Sequence, residues 1–257
     1  MKYKIAFFDV DGTLIDHNMN LPSSTKQAIA DLQARNFPVV ISTGREPSMF
    51  QHIMDELNIR SFISCNGSYV VYEGEVVYRK PVDASDLHQL NEAALSHGHG
   101  MVLSDINAKG MWATVNDHPY IEKALGHLKV PYPPYHQHRI EDVCYALLFC
   151  NEEEEARYRN KYANIDFIRW HELAVDVINK GGSKAKGIEA LLTHLNIDKA
   201  HAVAFGDGVN DIEMLGFVGT GVAMGNASPI VKEAADVVTK DVTDSGIRHG
   251  LEQVGLL

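Results

Sequence analysis

Three short runs of purely apolar residues constrain this chain more than anything else in it. They are Ile5 to Phe8, Val39 to Ile41 after Pro38, and Ala202 to Phe205. Each ends in a polar, glycine-containing turn: Asp9-Val10-Asp11-Gly12-Thr13, Ser42-Thr43-Gly44-Arg45 and Gly206-Asp207-Gly208-Val209-Asn210-Asp211. A strand with no polar face is buried on both sides, as in parallel sheets covered by helices. Amphipathic stretches separate the runs. Ala28, Ile29 and Leu32 follow a Pro22-Ser23-Ser24-Thr25 start signal, and Met49, Phe50, Ile53, Met54 and Leu57 follow Arg45. Strand, helix, strand, helix at this spacing predicts an α/β chain with a Rossmann-like, three-layer core around a parallel sheet. Ligands of such sheets bind beyond the carboxyl ends of the strands. Asp9 and Thr43 sit at such ends.

The rhythm changes in the middle of the chain. Phe62 to Cys65 reads as a third strand, and Tyr69 to Tyr78 as a hairpin turning at Glu73-Gly74. Beyond Pro81, residues 84–97 and 117–129 read as helices. Met101 to Leu103, Trp112 to Val115, Val143 to Cys150, Ile165 to Trp170 and Ala174 to Ile178 read as strands, and Glu152 to Tyr162 as a charged helix. Paired strands between helices predict an inserted α+β domain, with Gly181-Gly182 as its exit hinge. The α/β rhythm resumes at Lys184 and ends in helices at 229–235 and 245–254. The domains are therefore expected at 1–82 with 183–257, and at 83–182; 257 residues suffice for both.

The net charge of -11 disfavours nucleic acid, whose backbone attracts basic surfaces. Cys65, Cys144 and Cys150 are too few and too scattered for a disulfide framework. The apolar run before Asp9, Ile5 to Phe8, is only four residues long, too short for a signal-peptide core, and no apolar run would span a membrane. The expectation is a cytoplasmic monomer or small homo-oligomer without membrane or nucleic-acid partners.

Two acids one residue apart at a strand end suggest a carboxylate cluster for a hard cation such as Mg²⁺. Asp207 and Asp211 add acid at a second strand end, and Thr43-Gly44 a hydroxyl and a backbone amide at a third. Lys184 opens a helix. The plainest reading of Arg45 is a pairing with acid on the helix that follows it. His17 reads as an exposed loop residue.

Asp, Thr, Lys and Asp in this order resemble the haloacid dehalogenase superfamily of phosphohydrolases. Asp9 to Thr13, Thr43, Lys184, and Gly206-Asp207 through Asp211 match its four motifs. The insertion resembles the cap of the Cof-type subfamily (class C2, subfamily IIB), as does Ser64-Cys65-Asn66-Gly67. The resemblance implies a Mg²⁺-dependent phosphatase for small phosphorylated metabolites. It implies Asp9 as nucleophile and Asp11 as general acid and base. Val10, Thr43, Gly44, Lys184 and Asn210 would hold the phosphate. Asp9, the Asp11 carbonyl and Asp207 would hold Mg²⁺, with Asp211 behind them. The cap would select substrate, with Trp112, Tyr135, His136 and His138 as candidate contacts. The rivals are a phosphotransferase or phosphomutase on the same core, and a receiver-like module phosphorylated on aspartate.

Overall fold

The computed structural model describes residues 2–105, 110–136 and 140–257. His138 lies outside them. The chain divides into two compact units, Met1–Tyr78 with Ser183–Leu257, and Arg79–Gly182.

The first unit begins β1 (Ile5–Phe8), α1 (Ser23–Gln33), β2 (Val39–Ser42), α2 (Gln51–Leu57) and β3 (Phe62–Ser64). A hairpin of β4 (Tyr69–Tyr72) and β5 (Glu75–Arg79) follows. Its two linking residues, Glu73 and Gly74, both have positive φ (49° and 87°), as a tight hairpin turn demands. The second unit contributes α3 (Ala84–Ser96), β6 (Gly100–Asp105), β7 (Trp112–Ala113), α4 (Pro119–His127), β8 (Val143–Phe149), α5 (Glu152–Glu155), β9 (Ile165–His171) and β10 (Ala174–Asn179). The chain then returns to the first unit as α6 (Lys184–His194), β11 (Ala202–Gly206), α7 (Ile212–Phe217), β12 (Thr220–Ala223), α8 (Pro229–Glu233), β13 (Val237–Val238) and α9 (Gly246–Gln253).

The sheet of the first unit has the order β13-β12-β11-β1-β2-β3-β4-β5. Its strands run parallel from β13 to β3, and β4 reverses against β3. Alternate residues of β1 feed opposite layers. Ala6 and Phe8 pack with α1 and α9 through Ile29, Leu32, Ile247 and Leu251. Ile5 and Phe7 pack with α6 and α7 through Ile188, Leu191, Met214 and Leu215. That two-sided burial is why β1 carries no polar residue. The register pairs Phe8 with Phe205, whose rings stack 4.9 Å apart. Asp9 and Gly206 follow directly, so the aromatic pair forms an apolar floor under the polar turns.

The second unit is a five-stranded antiparallel sheet, β7-β6-β8-β10-β9. Leu87, Leu90 and Ala94 of α3 cover it, with Tyr158 wholly buried beside them. The helix expected over 152–162 is a single turn. Asn151 and Glu154 form a capping box that starts it. Beyond Glu155 the pattern becomes irregular, with three-residue bonds from Arg157 N to Glu154 O and from Tyr158 N to Glu155 O beside a four-residue bond from Arg159 N to Glu155 O. The turns point Tyr158 into the core, and that burial outweighs the helical preference of a charged segment. No helix among the described residues is long and apolar enough to cross a membrane.

Candidate active site

Because β11, β1 and β2 are neighbours and parallel, their three polar turns meet at one edge of the sheet. Four acids and two cations converge there. Asp9, at the end of β1, is 5% exposed, and Lys184, at the start of α6, is 1% exposed. The Lys184 ammonium donates to Asp9 Oδ1 and to Asp211 Oδ1, both at 2.6 Å. The other Asp211 oxygen accepts from the Asp207 and Gly208 amides at 2.9 and 2.8 Å. Asp211 thus fixes the lysine and the turn that presents Asp207.

Asp207 is held from the other side. Thr13 Oγ1 donates to its Oδ1 at 3.0 Å, and Asn226 Nδ2 to its Oδ2 at 3.2 Å. Asn226 also donates to the Gly12 carbonyl at 2.8 Å. Gly12 has φ +72°, and a Cβ on it would fall 2.2 Å from Asp207 Oδ2. Only glycine lets the first turn close on that carboxylate.

Asp9, Asp207 and Asp211 can each place a carboxylate oxygen within 4.8 Å of the others. Three hard oxygen donors at that spacing fit a divalent cation such as Mg²⁺. Burial, and next the Asp211 carboxylate, push the pKa of Asp9 well above its ordinary value; Lys184 opposes this. Burial and Asp211 push Asp207 up to about 6. Burial alone would lower the Lys184 ammonium, but Asp211 and Asp9 overcome it and hold its pKa above the ordinary lysine range. Four carboxylates facing two cations leave an excess of two negative charges when all are ionised. One divalent cation would neutralise that excess.

Arg45 corrects a sequence expectation. It does not pair with an acid on the helix that follows. Its Nε donates to Asp11 Oδ2 at 2.8 Å and its Nη2 to Asp11 Oδ1 at 2.5 Å. Nη1 donates to the Met49 carbonyl at 3.3 Å. The guanidinium is buried, whereas Asp11 is 49% exposed. The fork therefore holds Asp11 from below and leaves it open to solvent. Thr43 is buried, with its hydroxyl accepting from the Arg45 amide at 3.1 Å. The Val10 side chain is fully buried in the core, so only its backbone can serve the site.

The structure thus brings together Asp9, Asp207, Asp211 and Lys184, with Thr43 and Gly44 on the neighbouring strand end. Asn210 is exposed, its Oδ1 close to Gly208 rather than hydrogen-bonded into the cluster. Trp112 is 8% exposed within the second unit's own core, while Tyr135, His136 and His17 are exposed. Asn226 was not found from the sequence. It follows β12 as Met224-Gly225-Asn226, a strand end of the same polar kind as the others.

A family model for haloacid dehalogenase-like hydrolases matches residues 6–251. YkrA of Bacillus subtilis strain 168 is 43% identical over the full length of both chains. The HMP-PP phosphatase of Klebsiella pneumoniae is 30% identical, over 89% of this chain and 86% of its own. A crystal structure of a Geobacillus kaustophilus protein superposes with a TM-score of 0.92 at 48% identity, covering 99% of this chain and all of that one. A subclass IIB sugar phosphatase superposes with a TM-score of 0.86 at 29% identity, with 99% and 100% coverage. On the sequence, the fold and the converging acids together, the chain belongs to the haloacid dehalogenase-like hydrolases and is a phosphatase-type enzyme of that family.

Proposed function

We propose that this enzyme is a Mg²⁺-dependent phosphomonoesterase for small phosphorylated metabolites, sugar phosphates or phosphorylated cofactors and their precursors. The observation that carries the reading is the buried Asp9, held by Lys184 inside a cluster with excess negative charge. Asp9 is the nucleophile. Its carboxylate attacks phosphorus, the ester oxygen leaves, and an aspartyl-phosphate remains. Water then cleaves the phosphate from Asp9.

Asp11 serves both steps. It gives a proton to the leaving oxygen, then takes one from the attacking water. Its exposure suits a group that must meet a leaving group and then water, and the Arg45 fork keeps it aimed. Thr43, the Gly44 and Val10 amides and Lys184 hold the phosphoryl oxygens, with Asn210 contributing once a substrate is bound. Phosphoryl transfer depends mainly on such positioning and charge stabilisation. Asp9, Asp207 and the Asp11 carbonyl would hold Mg²⁺, and Asp211 would steady Asp207. The bound ion would offset the repulsion between Asp9 and the phosphate dianion. Residues 83–182 would act as the cap that selects substrate. The substrate class draws support from the sugar phosphatase and HMP-PP phosphatase among the relatives.

The test is release of inorganic phosphate from a panel that includes para-nitrophenyl phosphate, sugar phosphates, pyridoxal phosphate and flavin mononucleotide. Each is run with Mg²⁺, with a chelator, and with Asp9→Asn. Mg²⁺-dependent release that the variant loses supports the reading. Transfer of the phosphoryl group to a second hydroxyl, with no free phosphate, would move it to a phosphotransferase or mutase.

A further inference from the structure

The segment Cys65-Asn66-Gly67, directly after β3, has no part in the chemistry above, yet its backbone is tightly constrained. All three residues are buried, and all three have positive φ: 53°, 49° and 93°. A left-handed conformation is disfavoured for a non-glycine residue and persists where its surroundings impose it. Here two surroundings do.

On one side the turn grips the Thr43–Arg45 segment. The Cys65 amide donates to the Arg45 carbonyl at 3.1 Å and the Asn66 amide to the Thr43 carbonyl at 3.3 Å. The Asn66 carboxamide lies against Gly44: a Cβ there would come within 3.0 Å of Oδ1 and 3.2 Å of Nδ2. On the other side the turn abuts the start of α6. A Cβ on Gly67 would fall 2.1 Å from the Ser183 carbonyl and 3.0 Å from the Gly187 amide. A Cβ on Gly187 would in turn meet the Gly67 Cα at 2.9 Å. The turn is thus packed without slack between Thr43-Gly44 and the helix that opens with Lys184.

We infer that Cys65-Asn66-Gly67 is a spacer that fixes the distance between the two arms of the phosphate cradle, with Asn66 as a positioning residue that props the Gly44 backbone. The inference rests on the proposed phosphatase reading, which assigns Thr43-Gly44 and Lys184 to the phosphate. A group held between two arms feels small changes in their separation, and a 1 Å misplacement can lower a rate by about 10²-fold.

Asn66→Gly and Asn66→Ala separate the side chain from the backbone. Glycine loses the carboxamide but adopts positive φ freely, whereas alanine loses the carboxamide and resists the conformation. The readouts are kcat and KM with para-nitrophenyl phosphate, the melting temperature, and the dissociation constant of inorganic phosphate with Mg²⁺ by calorimetry. Asn66→Gly should weaken phosphate binding and raise KM roughly tenfold while melting near the parent temperature. Asn66→Ala should do the same and also melt lower. A reciprocal pair sharpens the test. Gly44→Ala, which presses a methyl group on the carboxamide, should weaken phosphate binding in the parent and do so less in Asn66→Gly, where the methyl has room. Parental phosphate affinity in Asn66→Gly, or additive effects of the two substitutions, would overturn the inference. So would a parent enzyme that binds no phosphate. A parent that binds phosphate but hydrolyses no ester would defeat the phosphatase reading, while the binding comparison would still judge the spacer.

Discussion

Each unit of the molecule buries charge, and the two do so differently. In the second unit Glu155 is fully buried, and two guanidinium groups meet it. Arg169 donates to it through Nε at 2.8 Å and Nη2 at 2.5 Å, and Arg159 pairs with its other oxygen. The remaining Arg169 nitrogen serves the carbonyls of Cys150, His171 and Glu172 at 3.1, 2.9 and 3.1 Å. Glu155 thus faces two cations. In the first unit, Asp9, Asp207 and Asp211 share one lysine, and the acids stand in excess. Buried charge is tolerated when paired and costly when not. The matched cluster reads as scaffold. The unmatched one costs stability, and on the proposed reading a bound cation would offset that cost at the place where the chemistry is done.

The largest effect should come from breaking the unmatched cluster. Asp9→Asn should lower turnover on the order of 10⁴-fold or more, since it removes the proposed nucleophile. It also removes one of the surplus charges, so the metal-free variant should melt higher than the parent. Activity and stability moving in opposite directions is the signature; a variant that melts lower without metal would break the comparison. Arg169→Met should behave in the opposite way. Glu155 loses its main partner, so stability by urea unfolding should fall by about 3 kcal/mol. Turnover well below the unfolding transition should stay within about twofold of the parent. A large loss of turnover in that folded protein would mean that the matched cluster is not merely scaffold.

Metal and pH probe the same contrast more gently. Asp207 rises from an ordinary 3.8 to about 6 when the chain folds without metal. Between those values the folded state binds more protons than the unfolded one, so metal-free stability falls as pH rises through that window. Asp9 shifts in the same direction. Saturating Mg²⁺ should therefore raise the melting temperature by on the order of 5 °C at pH 7.5. The gain should shrink as pH drops through 6 toward 4, where protons compete for the same oxygens. A gain independent of pH, or none at all, would separate the acid cluster from cation binding.

What could be read from the sequence follows from how local each signal is. The apolar runs at Ile5–Phe8 and Ala202–Phe205 announce buried parallel strands because each has no polar face, and the sheet order then carries Asp9 and Asp207 to the same edge. The turn at Glu73-Gly74 was legible from its residue types alone. Three features were not. The length of the segment after Asn151 depends on where Tyr158 is buried, a contact with residues distant in sequence. The partner of Arg45 lies 34 residues away across two strands. Asn226 reaches back 214 residues to the Gly12 carbonyl. Local patterns identify strands and turns, but the pairing of polar side chains waits on topology.

Arg45 gives the smallest expected effect and the sharpest use of the comparison. Like Arg169 it meets a carboxylate through Nε and Nη2, but it is buried where Arg169 is partly exposed, and it spans both carboxylate oxygens where Arg169 meets one. Its partner differs: Glu155 is sealed, while Asp11 is half exposed, as the proposed acid and base must be to meet substrate and water. If Arg45 works by aiming Asp11, Arg45→Lys keeps the charge and loses the fork. Its kcat should then fall about tenfold, part of the 10²–10⁴-fold that a positioned acid or base typically supplies, with KM within about twofold of the parent. In an Asp11→Asn background the same substitution should change little, because the group it aims is already gone. A full additional loss in that background would assign Arg45 to the substrate itself. It would also leave Asp11 to be oriented by the loop from Gly12 to Ile15, whose backbone closes on itself through the Gly12 N to Ile15 O bond at 2.9 Å.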